Sequence, residues 1–196
     1  MKYKVLLTTT SFIDTPGNHQ KLLDKQNFDI VKMRGPLREE QLLDIIENFD
    51  AMICGDDDIT RKVLKKGKEI GNLKIISKYG VGLDKIDIEA AKEFKIEVRN
   101  CPGINHDTVA EHIFALLLTF VKNIIKEDKY LHNNEWVRLI GTELNNKILG
   151  VIGTGKIGKE VIKRASAFGM NILAYDKFEN NDFALKYNVK YCSNLS

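Results

Sequence analysis

An apolar run, Ile148-Leu149-Gly150-Val151-Ile152, passes without a break into Gly153-Thr154-Gly155-Lys156-Ile157-Gly158. No other feature of this 196-residue chain narrows its choice of folds so far. The run reads as a buried strand and the glycines as a tight turn. Apolar residues at helical spacing (Ile157, Val161, Ile162, Ala165, Phe168) then read as a helix, and residues 171–175 as a second strand leading to Asp176. A strand, a glycine turn, a helix and a strand with an acid 18 residues after the last glycine make up the dinucleotide-binding fingerprint in its structural setting.

Each position has a physical task. Gly153 permits the turn, Gly155 lets the main chain approach a pyrophosphate, and Gly158 lets the helix pack close to the strand. Lys156 and Ile157 open the helix, whose first N–H groups lack intrahelical partners and whose dipole is positive at this end. Asp176 is placed to accept hydrogen bonds from ribose hydroxyls and to repel a 2′-phosphate, which favours NAD over NADP. The plainer alternative is a structural glycine turn whose groove holds nothing. Only 20 residues follow Asp176, whereas a second βαβαβ half takes about 60, at about 30 per βαβ unit. The chain is therefore expected to carry the front half of a nucleotide-binding domain and to be truncated after it.

Upstream, strand and helix patterns alternate. Strands are expected at 5–7, 28–33, 51–54, 74–77 and 96–98, with helices at 19–25, 37–48, 60–68 and 88–94. Five strands with intervening helices predict a doubly wound parallel sheet, in which ligands sit beyond the carboxyl ends of strands. The loop Lys78-Tyr79-Gly80-Val81-Gly82 falls at such an end. Residues 105–126 read as one long helix, capped by Asn105 or Asp107 with a Thr108-x-x-Glu111 capping box. It is apolar almost all round, which predicts burial on several faces or a subunit interface. Residues 127–146 read as a polar arm anchored by Trp136.

Composition excludes several classes. At 43% apolar the chain can bury a core, and a net charge of +3 with interspersed lysines gives no electrostatic case for nucleic acid or a membrane surface. The longest apolar run, 113–121, is far short of the ~20 residues of a membrane helix, and the apolar start is too short for a secretion signal. Three cysteines without metal-ligand spacing predict no metal site and a reducing, cytoplasmic setting, with Cys54 in the core.

Three ordered blocks resemble the D-isomer-specific 2-hydroxyacid dehydrogenases, phosphoglycerate-dehydrogenase-like members above all. They are residues 76–87 around Lys78-Tyr79-Gly80-Val81-Gly82, residues 100–112 from Asn100-Cys101-Pro102-Gly103-Ile104-Asn105 to Glu111-His112, and Trp136 followed by residues 144–176 through the glycine turn. The resemblance implies a flavodoxin-like substrate domain over 1–103 and a partial Rossmann NAD-binding domain over 104–196. It implies that the N–H groups of Val81 and Gly82 hold a substrate carboxylate, that Lys78 lies near substrate, and that Asn105 lines the cleft where nicotinamide and substrate meet. The alternative for Lys78 is a solvated lysine. Lys85 stands where the family usually has asparagine. The family's arginine, glutamate and histidine, which polarise the carbonyl and move the proton, correspond to positions beyond Ser196. His19, His106, His112 and His132 offer no replacement by position, so no catalytic residue is expected in this chain. The resemblance further implies a homodimer and, for the complete form, NAD-dependent interconversion of a small 2-hydroxy acid and its 2-oxo acid. An NAD(H)-responsive interaction module of the corepressor kind and an inactive fragment are the alternatives.

Overall fold

Residues 2–195 are described by a computed structural model, in which the first hundred residues form a sheet of five parallel strands. These are β1 (Tyr3–Leu7), β2 (Phe28–Lys32), β3 (Ala51–Cys54), β4 (Ile75–Lys78) and β5 (Glu97–Arg99), in the order β2-β1-β3-β4-β5. The continuous apolar runs foreseen as strands are the central ones, because strands covered on both faces cannot alternate polar and apolar residues. Leu6, Met52 and Ile76 share one face and are fully buried with Leu42, Ile46, Ile59, Val63, Leu64 and Leu73. That face is covered by α4 (Arg61–Glu69), which buries Val63, Leu64 and Gly67, and by α5 (Ile88–Glu93), which buries Ala90 and Ala91. Asp87 caps α5 by accepting from the Ala90 N–H at 2.8 Å. Two short helices, α1 (Thr10–Asp14) and α2 (Asn18–Asp24), follow β1. The single helix expected over 37–48 is instead α3 (Glu39–Leu43) and a 3-10 turn, Ile46–Asn48, because Ile45 (φ −130°) leaves helical geometry between them.

The chain divides into two compact units, Met1–Pro102 and Gly103–Ser196. The second contains α6 (His106–Val121), α7 (Ile124–His132), β6 (Ile148–Ile152), α8 (Lys156–Ala167), β7 (Asn171–Tyr175), α9 (Asn181–Tyr187) and β8 (Val189–Tyr191), its strands parallel in the order β6-β7-β8. Its core joins Ala110 and Phe114 of α6 to Val161, Ile162 and Ala165 of α8 and Ile172 of β7. Phe114 also stacks on Phe168, with ring centroids 5.3 Å apart.

Three expectations for this unit are corrected. The long helix ends at Val121, because Asn123 turns left-handed (φ 56°) and the returning chain takes the helix's last acceptors. The Thr142 N–H donates to the Val121 carbonyl at 2.8 Å, and Asn123 Nδ2 donates to the Ile140 carbonyl at 3.1 Å. The polar arm begins later than expected, since residues up to His132 continue as α7, bent 62° from α6. Asn105 precedes α6 but makes no side-chain cap, because its backbone (φ −121°, ψ 8°) is not extended, and Thr108 and Glu111 lie inside the helix rather than forming a capping box. Within this chain α6 buries one face only, through Ala110 and Phe114; Leu116 and Phe120 (82% exposed) are open to solvent. The segment after Asp176, for which no element was foreseen, holds α9 and β8. No single helix among the described residues is long and apolar enough to cross a membrane.

Candidate functional sites

In the second unit the glycine turn makes a cradle. Gly153 leaves β6 at φ +90°, a conformation that favours glycine, while its N–H continues the ladder to the Tyr175 carbonyl at 2.8 Å. A Cβ at Gly158 would run into the Gly153 carbonyl oxygen, so the first turn of α8 lies directly on the end of the strand. Above Gly155, by contrast, a Cβ would meet nothing within 4 Å. Gly155 is the residue before a 12-residue helix, and the N–H groups that open such a helix have no partners inside it. The result is a patch of main-chain donors at the positive end of a helix with open space over it, which suits an anionic diphosphate.

Asp176 follows the carboxyl end of β7 and borders this cradle. Its Oδ2 accepts from the Thr154 N–H at 2.5 Å and from Thr154 Oγ1 at 2.9 Å, and its Oδ1 accepts from the Phe178 N–H at 2.9 Å. The N–H groups of Phe178 and then Thr154, with the Thr154 hydroxyl, hold the Asp176 carboxyl below the usual carboxylate range. Oδ1 keeps a lone pair for one further donor. Thr154 is buried, and Tyr191 OH lies 3.0 Å from its hydroxyl while accepting from the Asn180 N–H at 3.3 Å. Sequence reasoning missed Thr154 and Tyr191. The position of Thr154 between two fingerprint glycines was the available signal; none pointed to Tyr191. Gly153, Gly155, Lys156, Ile157, Gly158 and Asp176 thus lie together, and Asn105 is exposed at the start of α6 in the same unit.

In the first unit Lys78 ends β4 and is only 6% exposed, which excludes the solvated alternative. Its Nζ donates to the Gly55 carbonyl and to Asp56 Oδ1, both at 2.5 Å. The loop beyond it is held by its carbonyls: Gly80 O accepts from the Cys101 N–H at 2.9 Å, and Val81 O from Asn100 Nδ2 at 2.7 Å. The N–H groups of Val81 and Gly82 meet no protein acceptor among the described residues. Asn100, a residue to which sequence reasoning gave no role, fixes this presentation. Lys85 pairs with Asp58 at 2.9 Å on the side of the loop toward α4. Next to the ends of β1 and β3 Asp57 is fully buried, accepting from Thr8 Oγ1 at 2.7 Å, the Leu37 N–H at 2.7 Å and the Gly55 N–H at 2.9 Å. Between the ends of β1, β3 and β4 lies a cavity of about 140 Å³ lined by Thr9, Ser11, Gly55, Asp56, Lys78 and Tyr79 among others.

Two of the four histidines lie against nearby main-chain carbonyls. His19 Nε2 lies 3.3 Å from the Phe12 carbonyl and His132 Nδ1 2.9 Å from the Asp128 carbonyl. His106, Asp107 and Glu160 bring possible metal-ligating atoms within 4.8 Å of one another. Lys163 and Arg164, at 2.5 and 3.0 Å from Glu160, already supply the positive charge there.

The family model described as "D-isomer specific 2-hydroxyacid dehydrogenase, catalytic domain" matches residues 7–178. The D-3-phosphoglycerate dehydrogenase of Methanocaldococcus jannaschii is 38% identical over 169 residues, covering 85% of this chain and 32% of that protein. The hydroxypyruvate reductase of Thermotoga maritima is 39% identical over 160 residues, covering 80% of this chain and 51% of that one. Among solved structures, the D-lactate dehydrogenase of Aquifex aeolicus complexed with NAD and lactic acid superimposes with a TM-score of 0.79 at 29% identity, covering 96% of this chain and 56% of that enzyme. The chain thus spans about half the length, or less, of these curated relatives.

Proposed function

Because this chain belongs to the D-isomer specific 2-hydroxyacid dehydrogenase family, we propose that it supplies the substrate-carboxylate loop and the pyrophosphate cradle of an NAD-dependent oxidoreductase acting on a small D-2-hydroxy acid. The substrate unit is the first compact unit, Met1–Pro102, and the cofactor unit the second, Gly103–Ser196. Held by Gly155, Lys156, Ile157 and Asp176, NAD would supply the hydride-acceptor chemistry that interconverts a 2-hydroxy acid and its 2-oxo acid.

The chain's own residues bind and orient. The N–H groups of Gly155, Lys156 and Ile157 take the diphosphate, and the bare Gly155 permits the approach. Asp176 Oδ1 receives a ribose hydroxyl and, as an anion, opposes a 2′-phosphate. In the first unit, the free N–H groups of Val81 and Gly82 hold the substrate carboxylate as oriented donors, without proton transfer, and Lys78, its charge matched by Asp56, lies near the substrate. Asn105, exposed at the start of α6, is assigned as a further substrate contact. No proton-transfer role is assigned to His19, His106, His112 or His132, and the chain by itself is expected to bind but not to turn over. The exposed face of α6 and α7, with Leu116, Phe120, Ile125 and Ile140 around one groove and Trp136 78% exposed, supports a homodimer.

The observation that carries this reading is the cradle, open above Gly155 and sealed below at Gly158, with Asp176 beside it. Titrating NADH and NADPH into the purified chain, with Asp176→Ser in parallel, tests it. NADH is expected to bind the more tightly, and the substitution to bring the two together. Failure of NADH to bind at all would sink the cofactor reading.

A further inference from the structure

On the reading that Val81 and Gly82 hold the carboxylate of a small acid, we propose that the cavity at the ends of β1, β3 and β4 takes the acid's far end and selects an uncharged hydroxyl there over a phosphate or a methyl group. Thr9 and Ser11 are the residues that read it.

Position comes first. In a sheet ordered 2-1-3-4-5 the crossover connections change sides between the first and third strands, and ligands gather at that switch point. The cavity lies there, with Thr9 and Ser11 after β1, Gly55 and Asp56 after β3, and Lys78 and Tyr79 at the end of β4. Tyr79 is two residues before Val81, at most about 7 Å along an extended chain, which a three- or four-carbon acid can span. The volume, about 140 Å³, holds a few heavy atoms, well below the ~300 Å³ and more of sites for drug-sized ligands.

Charge and hydrogen-bonding capacity then decide the ligand. Lys78 is already matched by Asp56 at 2.5 Å. Asp57, just below, has no cationic partner among the described residues. Arg34, the nearest arginine in sequence to the wall at Gly35, is held by both terminal nitrogens to Asp14 at 2.7 Å. The local balance is therefore negative, the opposite of the cationic clusters that hold phosphate. Thr9 Oγ1 and Ser11 Oγ are 3.2 Å apart and share one hydrogen between them, which leaves one hydroxyl hydrogen and free lone pairs. A ligand hydroxyl can donate and accept there, whereas a methyl group would cover these oxygens without a partner. The Thr8 hydroxyl is spent on Asp57.

D-glycerate, D-3-phosphoglycerate and D-lactate share the carboxylate and the C2 hydroxyl and differ only at C3. Each would be titrated into the ¹⁵N-labelled chain while the amide resonances are followed by NMR. All three are expected to move Val81 and Gly82. D-glycerate alone is expected to move Thr9 and Ser11, binding about fivefold to tenfold more tightly than the others. Thr9→Val or Ser11→Ala is expected to reduce D-glycerate to the level of D-lactate; Ser11 is exposed, so its variant serves even where Thr9→Val fails to fold. If D-3-phosphoglycerate or D-lactate binds as well as D-glycerate, or Ser11→Ala keeps the preference, the selection is refuted while the carboxylate loop stands. If no acid moves Val81 or Gly82, the carboxylate loop is refuted and this selection with it.

Discussion

Thr154 grips Asp176 twice, with its backbone N–H at 2.5 Å and its hydroxyl at 2.9 Å, both on Oδ2. The middle residue of the glycine turn is thereby fastened to the acid beyond the next strand, 22 positions along the chain. One carboxylate thus shapes the cradle through Oδ2, while Oδ1, bonded to the Phe178 N–H, keeps a lone pair for a further donor.

Thr154→Val keeps the backbone donor and removes the hydroxyl, leaving Tyr191 OH without that neighbour. The expected cost is about 1 kcal/mol of stability, together with an NADH affinity about fivefold lower. A thermal melt and a fluorescence titration read the two effects. Unchanged affinity would mean that the turn holds its shape without the side chain.

The Asp176 carboxyl is depressed on folding, first by the Phe178 N–H and then by Thr154. Such a group contributes stability that is complete above its unfolded value of 3.8 and is lost as pH falls through the lower folded value. Urea melts stepped from about pH 5 to about pH 3 should therefore show a loss in the native chain that Asp176→Asn lacks. Equal slopes in the two proteins would remove Asp176 from the acid transition.

Gly158→Ala places a methyl group against the Gly153 carbonyl. The obstacle is backbone, so relief requires moving α8 off β6, at a cost of roughly 1–3 kcal/mol. A lower melting temperature with weakened NADH binding is expected. Gly155→Ala, which meets open space, is expected to spare stability and weaken NADH alone. Equal destabilisation by both would contradict the assigned division of labour.

Burial, reinforced by the Asp57 carboxylate, pushes the Cys54 thiol up to about 12. Thiolate is the reactive form. Iodoacetamide at about pH 8 is expected to alkylate the half-buried Cys101 and Cys192 and to spare Cys54 until the chain is unfolded. Peptide mass spectrometry distinguishes the sites, and comparable labelling of Cys54 would show that β3 opens readily.

Phe120 stands 82% exposed on α6. If that face joins two copies, Phe120→Glu converts a dimer into a monomer in sedimentation without lowering the melting temperature of the monomer. A native chain that already sediments as a monomer would remove the dimer from the proposal.

What the sequence disclosed depended on the range of the interaction. The strand into Gly153 and the acid at Asp176 were legible because each is a local pattern with a fixed spacing. The five-stranded sheet was legible because Leu6, Met52 and Ile76 lie in short apolar runs between turn signals. The end of α6 was not, because Asn123 turns left-handed where the remote Ile140 and Thr142 complete its hydrogen bonds. β8 is three residues long and α9 buries no residue, so neither leaves a periodic trace. Lys78 could be read as solvated or functional; its burial is imposed by Gly55 and Asp56 from another strand's end.

Asp57 receives hydrogen bonds from the exits of three separate strands through Thr8, Leu37 and Gly55, and the Asp58 N–H returns one to the Leu37 carbonyl. Such a hub makes the rim of the first sheet one stiff collar rather than three independent flaps. A small acid arriving at any part of that collar would meet it already assembled, so little ordering entropy would be subtracted from its affinity.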